Sequence, residues 1–212
     1  MSAMPRLSAT WAIVVLTVAV SLIVGFLHYD IDAAILGGFV PARFGGDLDY
    51  SGVLAVPALL TPLSCTLLHA GFFHLAMNML LLLVTAQPTE KALGALGLVI
   101  LYVIGAYAAA AAQWLVDPAS IVPMIGASGA ASAVVGAYSL LFGRSRAKAI
   151  GPIPAQAVHV LWLAAAWTAI NLLSALAFLG AGIAVAAAAH IGGFIAGLAL
   201  AKPLLRWQWR NA

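Results

Sequence analysis

The feature that most constrains this chain is the near absence of charged residues from its long apolar stretches. Charged residues make up only 7% of the 212 residues, whereas hydrophobic residues make up 65%. Soluble globular proteins carry about 25% charged residues. So few charges cannot keep such a chain in water, and the sequence therefore predicts an integral, multi-pass membrane protein.

Six apolar segments are long enough to cross the roughly 30 Å hydrocarbon core of a bilayer, which takes about 20 helical residues. These segments span about residues 11–27, 64–86, 93–116, 124–142, 157–178 and 183–204. The one long connection is residues 28–63, between the first and second segments. The sequence thus predicts an all-α bundle of six transmembrane helices, a single membrane domain over residues 1–212.

The distribution of basic residues predicts the orientation, because Lys and Arg in short loops stay on the cytoplasmic side. With six crossings, eight of the nine basic residues share the side of the two termini, and Arg43 alone lies opposite. The eight are Arg6, Lys91, Arg144, Arg146, Lys148, Lys202, Arg206 and Arg210. Both termini are therefore predicted to be cytoplasmic, in a plasma membrane or, in a bacterium, the inner membrane. None of these residues forms a long basic run, so nucleic-acid binding is excluded as the main function.

Polar side chains inside the predicted spans are functional candidates, because they are costly in a bilayer. They are His69, His74, Asn78, Ser128, Asn171 and His190. Asn171 is interpreted as an interhelical hydrogen bond. No Asp or Glu lies within a predicted span, which argues against proton relays and ion-coupling sites that rely on buried carboxylates.

Ser128 lies in the motif Gly126-Ala127-Ser128-Gly129, directly after an irregular stretch that ends in a proline. Glycines beside a serine let a substrate carbonyl approach both the hydroxyl and the backbone N–H groups of a helix start. Small residues in a membrane helix also serve simply for helix packing. The motif alone leaves both interpretations open.

His190 shares one helix face with Gly193 and Gly197, at positions i, i+3 and i+7. The two glycines form a G-x-x-x-G step, which permits close approach of a neighbouring helix. A histidine on such a face needs a partner, and a serine hydroxyl on the apposed helix is a leading candidate, with a backbone carbonyl or a water as the alternative. At 1.5 Å per residue, Ser128, His190 and His74 lie at compatible depths in the outer half of the membrane.

His74 and Asn78 share a helix face at i and i+4, whereas His69 points elsewhere if the helix is regular. Near Ser128, a histidine and an asparagine could stabilise an oxyanion together with the Ser128 backbone N–H. A metal site on His69, His74 and His190 is the weaker alternative, since it lacks carboxylate or cysteine ligands and its spacing is poor. We predict no metal and no cofactor.

Taken together, these motifs resemble the rhomboid family of intramembrane serine proteases over about residues 60–200. The matching elements are Gly126-x-Ser128-Gly129, His190-x-x-Gly193-x-x-x-Gly197, and His74-x-x-x-Asn78 with the upstream His69. Each motif alone is weak evidence for this family. Their order and their positions on six spans with a cytoplasmic N-terminus are together specific to it.

The resemblance implies a protease that hydrolyses peptide bonds of transmembrane protein substrates with a Ser–His dyad. It implies that Ser128 is the nucleophile and His190 the general base. It also implies an oxyanion hole formed by His74, Asn78 and the Ser128 backbone N–H, with Gly126, Gly129, Gly193, Gly197 and His69 as supporting motif residues.

Two positions depart from the family pattern. Many members carry a Trp-Arg pair shortly before the second span, and residues 57–62 contain neither residue. This leaves the conformation of the first loop open. An aromatic residue four positions after the serine often packs on the histidine ring in relatives, but Ser132 stands there. The orientation of His190 is therefore unexplained.

Two other functions stay open from the sequence. One is a non-catalytic rhomboid-like protein that binds membrane helices, although such a protein would be marked by loss of Ser128 or His190, and both are present. The other is a small transporter or channel, for which inverted repeats or discontinuous helices are typical, and the sequence shows no clear repeat. Neither the substrate nor the oligomeric state can be read from the sequence.

Overall fold

A computed structural model describes residues 8–45, 48, 50, 52–143, 147–179 and 186–210. Seven α-helices and no named β-strand occur in these ranges. The helices are α1 (Ala9–Phe26), α2 (Asp30–Gly37), α3 (Thr61–Ser64), α4 (Phe72–Val116), α5 (Ser128–Phe142), α6 (Ala155–Leu179) and α7 (Ala187–Gln208). Four of them, α1, α4, α6 and α7, are long and apolar enough to cross a membrane, and α5 is a shorter apolar helix. The protein is an integral membrane protein built as a helical bundle.

Helix α4 folds back on itself at Gly94. This residue has φ of 75° and ψ of 164°, a non-helical conformation that glycine adopts without steric cost. In a straight helix, His74 and Ala109 would be about 52 Å apart, yet His74 lies beside Gly126 and Ala109 beside Gly129, at the start of α5. The two arms of this hairpin correspond to the predicted second and third spans.

The connection predicted between those spans, residues 87–92, is helical instead and continues the first arm of α4. A single glycine reverses the chain there, so no loop is needed. The first arm also begins later than predicted, at Phe72 and not at residue 64. The preceding residues form a 3-10 turn at Cys65–Leu67, and Gly71 then has φ of 90°, which is outside the helical region.

Helix α5 lies at the centre of the bundle, and all of its residues from 129 to 137 are buried. Its contact with α7 is made at glycines. A Cβ atom on Gly193 would overlap the carbonyl oxygen of Gly129, and a Cβ atom on Gly197 would overlap the carbonyl oxygen of Ala133. The two backbones therefore touch directly, which small residues permit between membrane helices.

The long connection between α1 and α4 holds the segment that leads into α5. Phe39 and Met124 exchange two backbone hydrogen bonds of 3.0 and 2.8 Å, and the N–H of Gly126 donates to the carbonyl oxygen of Cys65 at 2.9 Å. Because these backbone groups bond across the molecule and not within a helix, α5 begins at Ser128, four residues later than predicted.

The other predicted spans differ less from the observed helices. Helices α1 and α6 each begin within two residues of the predicted spans 11–27 and 157–178. Helix α7 begins at Ala187 and ends four residues beyond its predicted span of 183–204. Residues 183–185 of that span lie outside the described residues.

Glu90 connects the hairpin of α4 to the N-terminus of α1 by hydrogen bonds. Its carboxylate accepts hydrogen bonds of 2.6–2.9 Å from the hydroxyls of Ser8 and Thr10 and from the backbone N–H groups of Ala9 and Thr10. The first N–H groups of a helix have no partner within the helix, and negative charge is favourable there. This gives a structural reason for an acid among the residues that are predicted to lie on the basic side.

Candidate active site

Ser128 and His190 are joined by a hydrogen bond between α5 and α7. The Oγ atom of Ser128 lies 2.7 Å from Nε2 of His190. Ser128 is the first residue of α5 and His190 lies in the first turn of α7, and both are half-buried. The backbone contact between Gly129 and Gly193 brings these two helix starts together. A serine hydroxyl bonded to an imidazole nitrogen is the arrangement in which a base can activate a nucleophile.

His74 of α4 lies near the Ser128–His190 pair. Its Nδ1 accepts a hydrogen bond of 3.2 Å from the backbone N–H of Ala70, so Nε2 carries the hydrogen in the neutral ring. A Cβ atom on Gly126 would lie 2.9 Å from Nε2 of His74 and 3.7 Å from Oγ of Ser128. Glycine at this position therefore lets the His74 ring lie directly against the backbone, beside the serine hydroxyl.

His74 and Gly126 lie next to the first turn of α5, where backbone N–H groups have no acceptor within the helix. Gly126 has φ of 118°, a conformation that L side chains rarely adopt. Both the conformation and the close approach of the His74 ring thus require glycine at this position. A carbonyl oxygen held between His74 and this turn would meet hydrogen-bond donors from two helices.

Asn78 is buried one turn further along α4. Its Nδ2 donates to the carbonyl oxygen of His74 at 2.9 Å, and this uses one of the two amide hydrogens. Its Oδ1 is buried and has no hydrogen-bond partner within the part of the chain that the structure describes. Asn78 therefore lies beside His74, with one amide hydrogen still to donate.

His69 holds the loop that precedes Ser128. Its Nε2 accepts a hydrogen bond of 3.3 Å from the backbone N–H of Ala127, and its Nδ1 therefore donates to Oγ of Ser21 on α1 at 3.0 Å. The expectation that His69 points away from His74 is wrong, since their ring centroids are 5.0 Å apart in an edge-on arrangement. The regular helix assumed for that expectation begins only after His69.

Asn171 of α6 also reaches the site and makes the interhelical hydrogen bond predicted from the sequence, although the sequence pattern did not identify its partner. Its Oδ1 lies 2.7 Å from Nδ1 of His190, across the ring from Ser128. Ser132, where the rhomboid pattern has an aromatic residue, donates instead to the carbonyl oxygen of Ser128 at 2.7 Å. The sequence feature that could have indicated this contact was a polar residue in the middle of the fifth span, in a chain without the aromatic residue that usually packs on the ring of His190.

The histidines do not assemble into a metal site within the described ranges. No group of three or more His, Cys, Asp or Glu side chains lies close enough there to hold a metal ion. Both ring nitrogens of His69 and both of His190 are already used in hydrogen bonds. The arrangement is instead suited to proton transfer between a hydroxyl and an imidazole.

Comparison with known proteins agrees with this geometry. Residues 58–207 match the rhomboid domain family. The chain belongs to the rhomboid family. A search of curated proteins gives no match. Rhomboids are intramembrane proteases that act on membrane-protein substrates within the bilayer, although the family also has inactive members. The matched region of this rhomboid contains α3 to α6 and all of α7 except its last residue, and with them Ser128, His190 and His74.

Proposed function

We propose that this rhomboid is an active serine endopeptidase that hydrolyses peptide bonds in or near transmembrane segments of membrane proteins. The observation that carries the proposal is the 2.7 Å hydrogen bond between Oγ of Ser128 and Nε2 of His190. His190 takes the hydroxyl proton while Oγ attacks the scissile carbonyl carbon, and then gives that proton to the leaving amine. Water, activated by the same histidine, releases the second product from the acyl-enzyme.

The oxyanion that forms in this reaction lies between His74 and the first turn of α5. Its donors in this proposal are Nε2–H of His74, the Ser128 backbone N–H and the free amide hydrogen of Asn78. Donors set in place before the reaction stabilise charge without reorganisation, and one such donor is typically worth about 100- to 1,000-fold in rate. Gly129, Gly193 and Gly197 act indirectly, because they let α5 and α7 approach closely enough for the Ser128–His190 bond.

The test is cleavage of a reference transmembrane substrate by the purified protein in liposomes. Ser128→Ala and His190→Ala should each lower the rate by about 1,000-fold or more, since removing a nucleophile or its base leaves only the contribution of the oxyanion hole and of binding. His159→Ala on α6 is the control variant, which should cleave at nearly the wild-type rate. Cleavage by Ser128→Ala at the wild-type rate would falsify the dyad.

The alternative, a non-catalytic protein that binds membrane helices, predicts a different outcome. The wild-type protein would then bind the substrate helix in the same liposomes, and Ser128→Ala would bind it equally well, but neither would form product.

We also propose that the single membrane domain of residues 1–212 crosses the membrane six times, with both termini in the cytoplasm. The two arms of α4, together with α1, α5, α6 and α7, supply six apolar segments, and residues 72–93 alone extend about 33 Å. The eight-to-one distribution of basic residues supports this orientation. A plasma membrane, or a bacterial inner membrane, is the proposed location.

A compartment-sensitive reporter fused after Ala212 tests the orientation. Activity of this reporter in the cytoplasm is expected, together with cleavage of the 28–63 connection by a protease added from outside. A reporter that is active only outside would overturn the orientation.

A further inference from the structure

Asn171 stands out because it is the one buried residue among the described side chains of α6. It is 6% exposed, whereas the others are half-buried or exposed. A polar group inside a membrane is costly unless it is hydrogen-bonded. A buried amide on an otherwise peripheral helix therefore indicates a specific partner, and that partner is the ring of His190.

The hydrogen bonds of Asn171 determine which of its side-chain atoms faces the histidine. Its Nδ2 donates to the carbonyl oxygen of Trp167, one turn earlier, at 2.9 Å. This leaves Oδ1, a pure acceptor, at 2.7 Å from Nδ1 of His190. An acceptor requires a hydrogen on Nδ1, and a neutral imidazole has only one N–H. The lone pair of His190 must then be on Nε2, which faces the hydroxyl of Ser128.

Helix α6 also contacts α7 at residues other than Asn171. The indole Nε1 of Trp167 donates to the carbonyl oxygen of His190 at 3.1 Å. The Trp167 ring stacks on Phe194 with ring centroids 4.9 Å apart and an interplanar angle of 10°. These contacts hold α6 without involving the His190 side chain. The bond from Asn171 to the ring can therefore be removed separately from the docking of the helix.

We infer that Asn171 is a positioning residue that holds His190 in the tautomer and ring orientation needed to accept the Ser128 proton. This inference rests on the proposed protease function. As Oγ bonds to the substrate carbonyl carbon, the hydroxyl proton moves to Nε2 and the carbonyl π electrons move to the oxyanion. Asn171 exchanges no proton, and its bond to Nδ1–H becomes charge-assisted when the ring is protonated. A third group that orients the base is a recurring feature of nucleophile activation.

The first experiment compares Asn171→Leu, Asn171→Asp and the wild-type protein in liposomes with the reference transmembrane substrate. General-base catalysis is typically worth about 100- to 10,000-fold, so Asn171→Leu should lower kcat at least about tenfold and leave KM nearly unchanged. Asn171→Asp keeps an acceptor oxygen and should recover most of this loss. Wild-type kcat in Asn171→Leu, or an equal loss in both variants, would overturn the inference.

Trp167→Phe is the matched control for docking of α6. It removes the indole hydrogen bond to the His190 backbone but keeps an aromatic ring against Phe194, and its kcat should change far less than that of Asn171→Leu. If Trp167→Phe and Asn171→Leu lose the same activity, the amide contributes through helix docking alone, and a positioning role is rejected.

The second experiment reads the tautomer directly and does not depend on activity. In the Ser128→Ala protein in liposomes, ¹⁵N NMR of the histidine rings, with His190 assigned by its absence from a His190→Ala sample, should show neutral His190 with the hydrogen on Nδ1. Adding Asn171→Leu should shift hydrogen toward Nε2, because the bond made by one ring nitrogen determines the state of the other. A neutral His190 with its hydrogen on Nε2 while Asn171 is present overturns the inference, even if Asn171→Leu does not fold.

The two proposals fail in distinguishable ways. An inactive wild-type protein with hydrogen on Nδ1 of His190 rejects the protease function and supports the orientation by Asn171. An active protein with hydrogen on Nε2 of neutral His190 supports the protease function and rejects the role of Asn171.

Discussion

Helices α5 and α6 provide adjoining parts of the same site, yet they are held in contrasting ways. Helix α5 is buried from residue 129 to residue 137 and meets α7 by direct backbone contact at glycines. Helix α6 buries only Asn171 among its described side chains. It meets α7 through one stacked ring pair and two hydrogen bonds, and Val160, Leu163 and Ala164 pack against the cluster of Val135, Phe194 and Leu198.

The contrast follows from the physics of helix association in lipid. Lipid tails are as apolar as leucine, so helices associate by close packing and by interhelical hydrogen bonds and not by a hydrophobic effect. The α5–α7 contact relies on close backbone packing, whereas the α6–α7 contact combines looser side-chain packing with two interhelical hydrogen bonds. The α5–α7 contact thus determines the relative positions of Ser128 and His190, whereas the ring orientation of His190 depends on the α6–α7 contact. Regions with fewer buried contacts also open at lower free-energy cost.

The largest effect is expected from enlarging a glycine in the α5–α7 contact. In Gly197→Val, the new Cβ atom would overlap the carbonyl oxygen of Ala133 and force the helices apart. Overpacking usually costs about 1–3 kcal/mol and occasionally more, and we expect at least the upper end of this range, with loss of cleavage. Ala199→Val, at an exposed position on the same helix, is the matched control. Equal melting temperatures for the two variants would contradict the tight contact described above.

His74→Ala should slow cleavage by about 100- to 1,000-fold, the typical loss for one oxyanion donor. Its melting temperature should barely change, because the His74 side chain is only half-buried and its hydrogen bond from the Ala70 N–H is exposed. Rates in liposomes and thermal unfolding in detergent, measured on the same preparation, separate the two effects.

Asn78→Ala is the companion variant. It should slow cleavage less than His74→Ala, since one of its amide hydrogens already bonds the His74 carbonyl oxygen. A variant that melts many degrees lower but cleaves at the wild-type rate would show that Asn78 is only a packing bond, because loss of a buried hydrogen-bond partner costs about 1–3 kcal/mol.

Trp167→Phe tests the strength of the contact between α6 and α7. The lost indole hydrogen bond should lower the free energy of unfolding by about 0.6–2 kcal/mol, the usual range for interhelical hydrogen bonds in membranes. Trp162→Phe, at a position on α6 that is 67% exposed, should leave stability unchanged. The comparison between α5 and α6 would lose its basis if Trp167→Phe were as damaging as Gly197→Val.

The smallest effect is expected on the outer face of α6. Leu173 is 65% exposed, and Leu173→Ala should change stability by less than about 0.5 kcal/mol. Leu198→Ala on α7, where the side chain is 7% exposed, should cost about 2–5 kcal/mol. A loss of that size for Leu173→Ala would indicate that α6 is covered by a partner, such as a second copy of the chain.

The sequence predicted the helical segments well, because hydropathy and span length are local properties set by the thickness of the bilayer. It also predicted similar depths for Ser128, His190 and His74, since helical rise converts position along a span into distance. The bend of α4 was predicted a few residues early. A loop was expected at residues 87–92, but a single non-helical residue, Gly94, reverses the chain.

Only the tertiary structure determined the contacts between segments that are distant in sequence. The start of α5 depends on backbone pairing with Phe39, and the position of His69 depends on Ser21 and Ala127. Hydropathy could not indicate which way Asn171 faces, because α6 is apolar around most of its circumference and has no strong face that fixes its rotation. Its rotation is set by contact with α7, and this contact puts the amide on the ring of His190.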